Sequence, residues 1–192
     1  MGETVIKALK DIASLVAAVA NDQKLQAGID QAAEMALSAL ARNGKLLFAG
    51  NGGSAAEAQH LAAEYVSRFK FDRPGLPAIA LTTDTSALTA IGNDYGFNAV
   101  FQRQIEALAR PSDLIFLSST SGRSPNILAA ISAARRLCVP TVLLTGAGYV
   151  YPSDGPDLVL AVPSSETARI QEIHLMIGHS ICEIVELRTF SA

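Results

Sequence analysis

Between residues 45 and 162, five short apolar runs alternate with longer segments of helical period, and no other feature restricts the fold of this chain as strongly. The runs cover 45–49, 77–81, 113–118, 140–145 and 157–162. They are almost unbroken, so each is expected to be a strand buried on both faces of its sheet. The segments 54–68, 84–91, 96–109, 124–137 and 165–187 carry helical patterning. Strands that alternate with helices pair in parallel and are covered on both sides. The expected fold is α/β: a three-layer αβα sandwich on a five-stranded parallel sheet.

Ahead of the first strand lies a helical pair. Val5, Leu9, Ile12, Val16 and Val19 recur at three- and four-residue steps. A second helix over 22–42 turns Leu25, Ile29, Ala32, Ala36, Leu37 and Leu40 inward and closes at Asn43-Gly44. A minimal doubly wound sheet has no place for such a pair, which reads as a subunit-packing element. Composition agrees: hydrophobic residues make up 49% of the chain and charged residues 17%, a surface poor enough in charge to be partly covered by another subunit. The chain is therefore read as one domain over 1–192, with 1–43 packing an oligomer and 44–192 forming the α/β core.

The net charge of −3 comes with no basic stripe or polybasic run, so neither nucleic acid nor a membrane surface is an expected partner. No apolar run nears the roughly 18 residues of a membrane span, and the N-terminus lacks the unbroken apolar core of a signal peptide. Cys138 and Cys182 sit in apolar helical patterns without CxxC spacing, and are expected to be free, packed thiols. These features place the chain in the cytoplasm.

In a sheet of this kind ligands bind beyond the carboxyl ends of the strands, where helix N-termini point free N–H groups. Two such junctions are rich in small polar residues. The first, Gly50-Asn51-Gly52-Gly53-Ser54, could bring backbone amides close to an anion, although Ser54-Ala55-Ala56-Glu57 also reads as a capping box in which Ser54 only caps its helix. The second runs Ser118-Ser119-Thr120-Ser121-Gly122-Arg123-Ser124-Pro125. Pro125 suits the first helical turn, which makes Ser124 the N-cap. Capping needs one hydroxyl and this loop supplies five, enough to serve a dianionic phosphate. A Walker A loop would need a lysine after the glycine, and GxGxxG fails at its last glycine, so no nucleotide cofactor is expected. The pattern fits a phosphate monoester.

His60 and Glu64 are four apart on the helix after the first loop, so they share a face that could bind a metal or a substrate, or be merely solvated. On the last helix Gln171 and His179 lie roughly 80° apart and His174 and His179 about 140° apart, at about 100° per residue. Spacing would pair His179 with Glu172 at least as well as with Gln171, and it leaves His174 as a helix-surface or interface residue. Asn93-Asp94 ends the short helix after the second strand and carries only an ordinary turn signal.

Four segments in order, GNGGSAAEAQHLAAEYVSRF from Gly50, LTTDTSALTAIGNDYGF from Leu81, STSGRSPNILAA from Ser119 and RIQEIHLMIGH from Arg169, resemble the sedoheptulose 7-phosphate isomerases. These phosphoheptose isomerases belong to the sugar isomerase (SIS) superfamily, and the similarity spans essentially the whole chain. The resemblance implies interconversion of sedoheptulose 7-phosphate and D-glycero-D-manno-heptopyranose 7-phosphate, the first step towards the heptose of lipopolysaccharide core or related glycans. It also implies a homotetramer with active sites at subunit interfaces. The family's zinc ligands fall on His60, Glu64, Gln171 and His179, which selects Gln171 over Glu172. Its sugar and phosphate contacts fall on Asn51, Gly52, Gly53, Glu64, Asn93, Asp94, Ser119, Thr120, Ser121, Ser124 and Gln171, with Ser54 closing the first loop. Arg123 and the stretch 146–151 depart from the family pattern and bear on substrate preference.

A ketose–aldose interconversion moves a proton between adjacent carbons through an enediol, and needs one group for the carbon-bound proton and another for the oxygens. By the same resemblance Glu64 is the base and His179 the acid, two roles in tension with zinc binding because a cation lowers a carboxylate's pKa. The rival readings are a non-catalytic SIS protein-binding module, of the kind that associates with the bacterial replication initiator, and an isomerase of another phosphosugar. Glu64, Gln171 and His179 together favour an enzyme, since a binding module needs no acid–base set.

Overall fold

The computed structural model describes residues 2–149 and 152–191. Two helices, α1 (Gly2–Asn21) and α2 (Gln23–Ala41), precede β1 (Leu46–Gly50), α3 (Gly53–Val66), β2 (Ala78–Ala80) and α4 (Thr85–Tyr95). There follow α5 (Val100–Leu108), β3 (Leu114–Ser118), α6 (Pro125–Arg136), β4 (Thr141–Thr145), β5 (Leu158–Ala161) and α7 (Thr167–Phe190). The five strands form one parallel sheet, as the apolar runs predict, and its order is β2-β1-β3-β4-β5.

Successive strand residues point to opposite faces. Leu46, Phe48, Leu114, Phe116, Val142 and Leu144 face a core built with α2, α3 and α7. Leu47, Ala49, Ile115, Leu117 and Leu143 face a second core closed by α5 and α6. Both faces of the central strands β1, β3 and β4 are therefore covered, which is why their runs are unbroken. The edge strands β2 and β5, expected to be buried on both faces, are only partly covered, with Ile79 39% exposed. The chain runs from β1 out to β2 and returns to β3 on the other side, so strand order reverses between β1 and β3, the place where a sheet of this type opens a crevice.

Helix α1 has no buried residue: Ile12, Val16 and Val19 rest against the first core, while Val5 and Leu9 stay 59% and 62% exposed. Asp22 caps α2 by accepting from the Leu25 N–H at 3.0 Å. Three expectations change. Helix α4 runs four residues beyond 91, so Asn93 and Asp94 lie inside its last turn. The segment 96–109 is not one helix: Gly96, at φ +83, separates α4 from a 3-10 turn, Phe97–Ala99, and α5 begins only at Val100. Cys138 is not packed in a helix; it lies past the end of α6 at φ +56 and is exposed, whereas Cys182 is buried in α7. No helix among the described residues is long and apolar enough to cross a membrane.

Candidate active site at the β1/β3 crevice

Gly50 at the end of β1 is in register with Ser118 at the end of β3, so the two serine loops leave the sheet side by side. They are joined by a reciprocal amide pair, in which Asn51 Nδ2 donates to Asn126 Oδ1 at 2.9 Å and Asn126 Nδ2 to Asn51 Oδ1 at 2.8 Å. Gly52, not Ser54, is the N-cap of α3, and it contributes no side-chain bond. Ser54 is buried within the first turn, so the predicted capping box does not form.

In the second loop Ser124 is the N-cap and Pro125 opens α6, as expected, yet the Ser124 hydroxyl makes no capping bond. It meets Ser119 Oγ at 3.0 Å instead. Ser121 Oγ accepts from the Arg123 N–H at 3.1 Å, and the Thr120 carbonyl accepts from the Gly146 N–H at 3.0 Å. Ser118 leaves the set of five: its hydroxyl turns under the sheet and donates to Glu57 Oε1 at 3.0 Å. The Tyr149 ring rests against Gly122. Val150 and Tyr151, the rest of the stretch that departs from the family pattern, lie outside the described residues.

Helices α3 and α7 run on the same face of the sheet and bring His60, Glu64 and His179 together. His60 Nε2 is 2.8 Å from His179 Nε2 and 3.4 Å from Glu64 Oε1. The three side chains offer donor atoms all within 4.8 Å of one another. Two imidazole nitrogens and a carboxylate oxygen form a set that a divalent ion such as Zn²⁺ accepts. Burial and then the neighbouring His60 hold His179 below the ordinary histidine pKa, with Glu64 opposing them, which favours the neutral, ligating form of its imidazole.

Gln171 lies against the first loop, at the start of α3. A Cβ on Gly53 would stand 2.7 Å from Gln171 Oε1, so only glycine lets the Gln171 amide lie over the start of α3. Gly53, His60, Gln171 and Glu172 share the wall of one cleft of about 480 Å³. Glu172 is engaged by Arg169 at 2.8 Å. Asn93 and Asp94 are not brought to this cleft. They are exposed on α4, whose Leu88 and Ile91 pack into the core on the other face, and Asn93 Nδ2 donates to Asp94 Oδ1 at 2.8 Å.

Several supporting residues were not foreseen. Gly178 lets α7 touch α3, because a Cβ there would lie 2.6 Å from both methyls of Leu61. The buried pair Arg73 and Glu186 locks the far end of α3: Arg73 donates to the Glu64 carbonyl at 2.8 Å and to the Tyr65 carbonyl at 2.7 Å. His174, expected on a helix surface or at an interface, is fully buried within the chain, with Nε2 3.2 Å from the Thr145 carbonyl oxygen. Glu57, expected only as a capping partner, is also buried, and burial raises its pKa to about 7 against the pull of the Ser118 hydrogen bond. The signal for Glu57 was its position on the stripe of Ala58, Leu61 and Tyr65, which faces the core.

The family model of the SIS domain matches residues 9–146. A phosphoheptose isomerase of Solidesulfovibrio magneticus is 58% identical over 165 residues, covering 85% of this chain and 80% of its own. One from Burkholderia pseudomallei is 51% identical over 176 residues, 92% of this chain and 89% of its own. The structure of a phosphoheptose isomerase from Francisella tularensis superposes with a TM-score of 0.89 at 38% identity, over 96% of this chain and 97% of that one.

Proposed function

The chain belongs to the phosphoheptose isomerase family of SIS-domain proteins, and from that premise we propose that it interconverts D-sedoheptulose 7-phosphate and D-glycero-D-manno-heptopyranose 7-phosphate with Glu64 and His179 as its acid–base pair. The observation that carries this reading is the meeting of Glu64, His60 and His179 between α3 and α7, with His60 on the wall of the cleft that Gly53 of the first loop also lines.

The phosphate is held by Ser119, Thr120, Ser121 and Ser124 and by the start of α3 at Asn51, Gly52, Gly53 and Ser54. That anchorage directs the carbonyl end of the sugar towards Gln171 and Glu64. Glu64 takes the proton from the carbon beside the carbonyl and returns it to the neighbouring carbon, while His179 moves protons on the two oxygens. His60, Glu64 and His179, with Gln171 as the fourth ligand that the family resemblance implies, would hold one zinc ion per subunit, and when bound it would polarise the sugar oxygens. Residues 1–192 act as one SIS domain in the cytoplasm, with 1–43 packing a homotetramer. The half-covered α1 and the exposure of Asn93 and Asp94 away from their own cleft support an assembly in which those two residues serve a neighbouring copy's site.

The test is an isomerisation assay on sedoheptulose 7-phosphate with NMR identification of the product, run on the parent and on Glu64→Gln. The parent should turn over and the variant should bind substrate without turnover. An active Glu64→Gln removes Glu64 as the base, and a parent that isomerises only a different phosphosugar overturns the substrate assignment.

A further inference from the structure

Glu57 is a carboxyl in a place that favours none. Its neighbours on the inward stripe of α3 are Ala58, Leu61 and Tyr65, and the residue is 7% exposed. One oxygen accepts the Ser118 hydroxyl at 3.0 Å, while the other is buried without a partner. With Ser118 it borders a void of about 10 Å³ whose other walls include Phe48, Leu61 and Phe116. A buried acid with a single hydrogen bond opposes folding, which marks it for a role beyond packing.

Its partner is the last residue of β3, peptide-bonded to Ser119, and Ser119 in turn pairs with Ser124 across the phosphate loop. Glu57 is also one helical turn before His60, on the helix that carries Glu64. The Glu57–Ser118 bond therefore fixes the base of the phosphate loop relative to the helix that bears the proposed proton-transfer and metal-binding groups. We propose that Glu57 is a positioning residue for phosphate binding, holding the loop 119–124 in register with α3 through Ser118. This rests on the reading that the loop binds the substrate's phosphate.

Removing either partner releases the base of the loop from α3 at a place where both side chains are buried. Glu57→Ala and Ser118→Ala should each raise KM for sedoheptulose 7-phosphate, and the inhibition constant of inorganic phosphate, by about tenfold, the scale of one lost buried hydrogen bond. The kcat should stay within about twofold, since the acid–base groups are untouched. The double variant should be no worse than either single, because both remove the same bond. Glu57→Gln keeps an acceptor for Ser118 and should restore most of the affinity.

The inference is overturned if the two single effects add, if KM is unchanged, or if the loss falls on kcat alone. Should Glu57→Ala fail to fold, Ser118→Ala, a change of one oxygen atom, carries the same KM test. A parent that fails to isomerise the sugar phosphate refutes the functional reading, whereas an active parent with unaffected variants refutes only the role of Glu57.

Discussion

Arg73 and Glu186 form a buried ion pair at 2.9 Å, with each side chain 2% exposed, between the segment after α3 and the last turns of α7. The same carboxylate accepts the backbone N–H groups of Phe69 and Lys70 at 2.8 and 2.7 Å, and the same guanidinium closes the carbonyl end of α3. Burial works against the ionised Glu186, but the Lys70 and Phe69 N–H groups and Arg73 outweigh it and hold its pKa below the ordinary value. The pair thus ties the helix of Glu64 to the helix of His179.

Removing one partner strands the other charge. Arg73→Ala should cost about 3–5 kcal/mol of stability, read by urea denaturation, and it should lower kcat/KM even at temperatures where the variant is folded.

Glu57 gives stability a dependence on pH. Its folded pKa, about 7, lies above the ordinary 4.5, so the unfolded chain releases this proton first. The contribution is full below about pH 4.5 and is lost as pH rises through about 7. On the order of 3 kcal/mol is at stake over that window. Glu57→Gln should flatten this limb in a series of melting curves from pH 5 to 8, and an unchanged slope would show that the carboxyl is hydrated.

His174 acts in the opposite direction. Burial lowers its pKa from 6.5 to about 4, against the pull of the Thr145 carbonyl. The unfolded chain therefore takes up a proton first as the solution is acidified. Stability from this group is full above about pH 6.5 and declines as pH falls towards 4. His174→Gln should remove that decline, and NMR titration of the ring should find it neutral at pH 6.

Gly53→Ala tests the contact between the first loop and Gln171. The new methyl would meet the Gln171 amide at 2.7–2.8 Å and push it aside. The expected result is a fall in kcat/KM of about a hundredfold, in line with a misplacement of the order of an ångström, with little change in melting temperature.

The sheet and its two loops were legible because their signals are local: unbroken apolar runs, and serines clustered where strands end. Gln171 and Glu172 could not be separated by spacing, and the fold shows why, since both reach the wall of the same cleft. The Ser-x-x-Glu signature misled at Ser54 because a turn at Gly52 took over the cap and released Glu57 into the core. His174 was misplaced for a similar reason: its partner is a strand carbonyl 29 residues earlier, which helical period does not encode. The Arg73–Glu186 pair joins positions 113 apart and left no trace in any local pattern.

Gly178 has no functional group, yet it governs the chemistry beside it. Because its missing side chain lets α7 rest on Leu61, the residue before His179 touches the residue after His60. The spacing of the two imidazoles is thus set as a machinist sets a gap, by the thickness of the shim between two rigid bars. A larger residue at this position would part the bars without altering a single reactive atom. A donor spacing suited to one ion would then become one suited to a wider ion or to none, so the metal preference of such a site can drift through a position where only bulk is at stake.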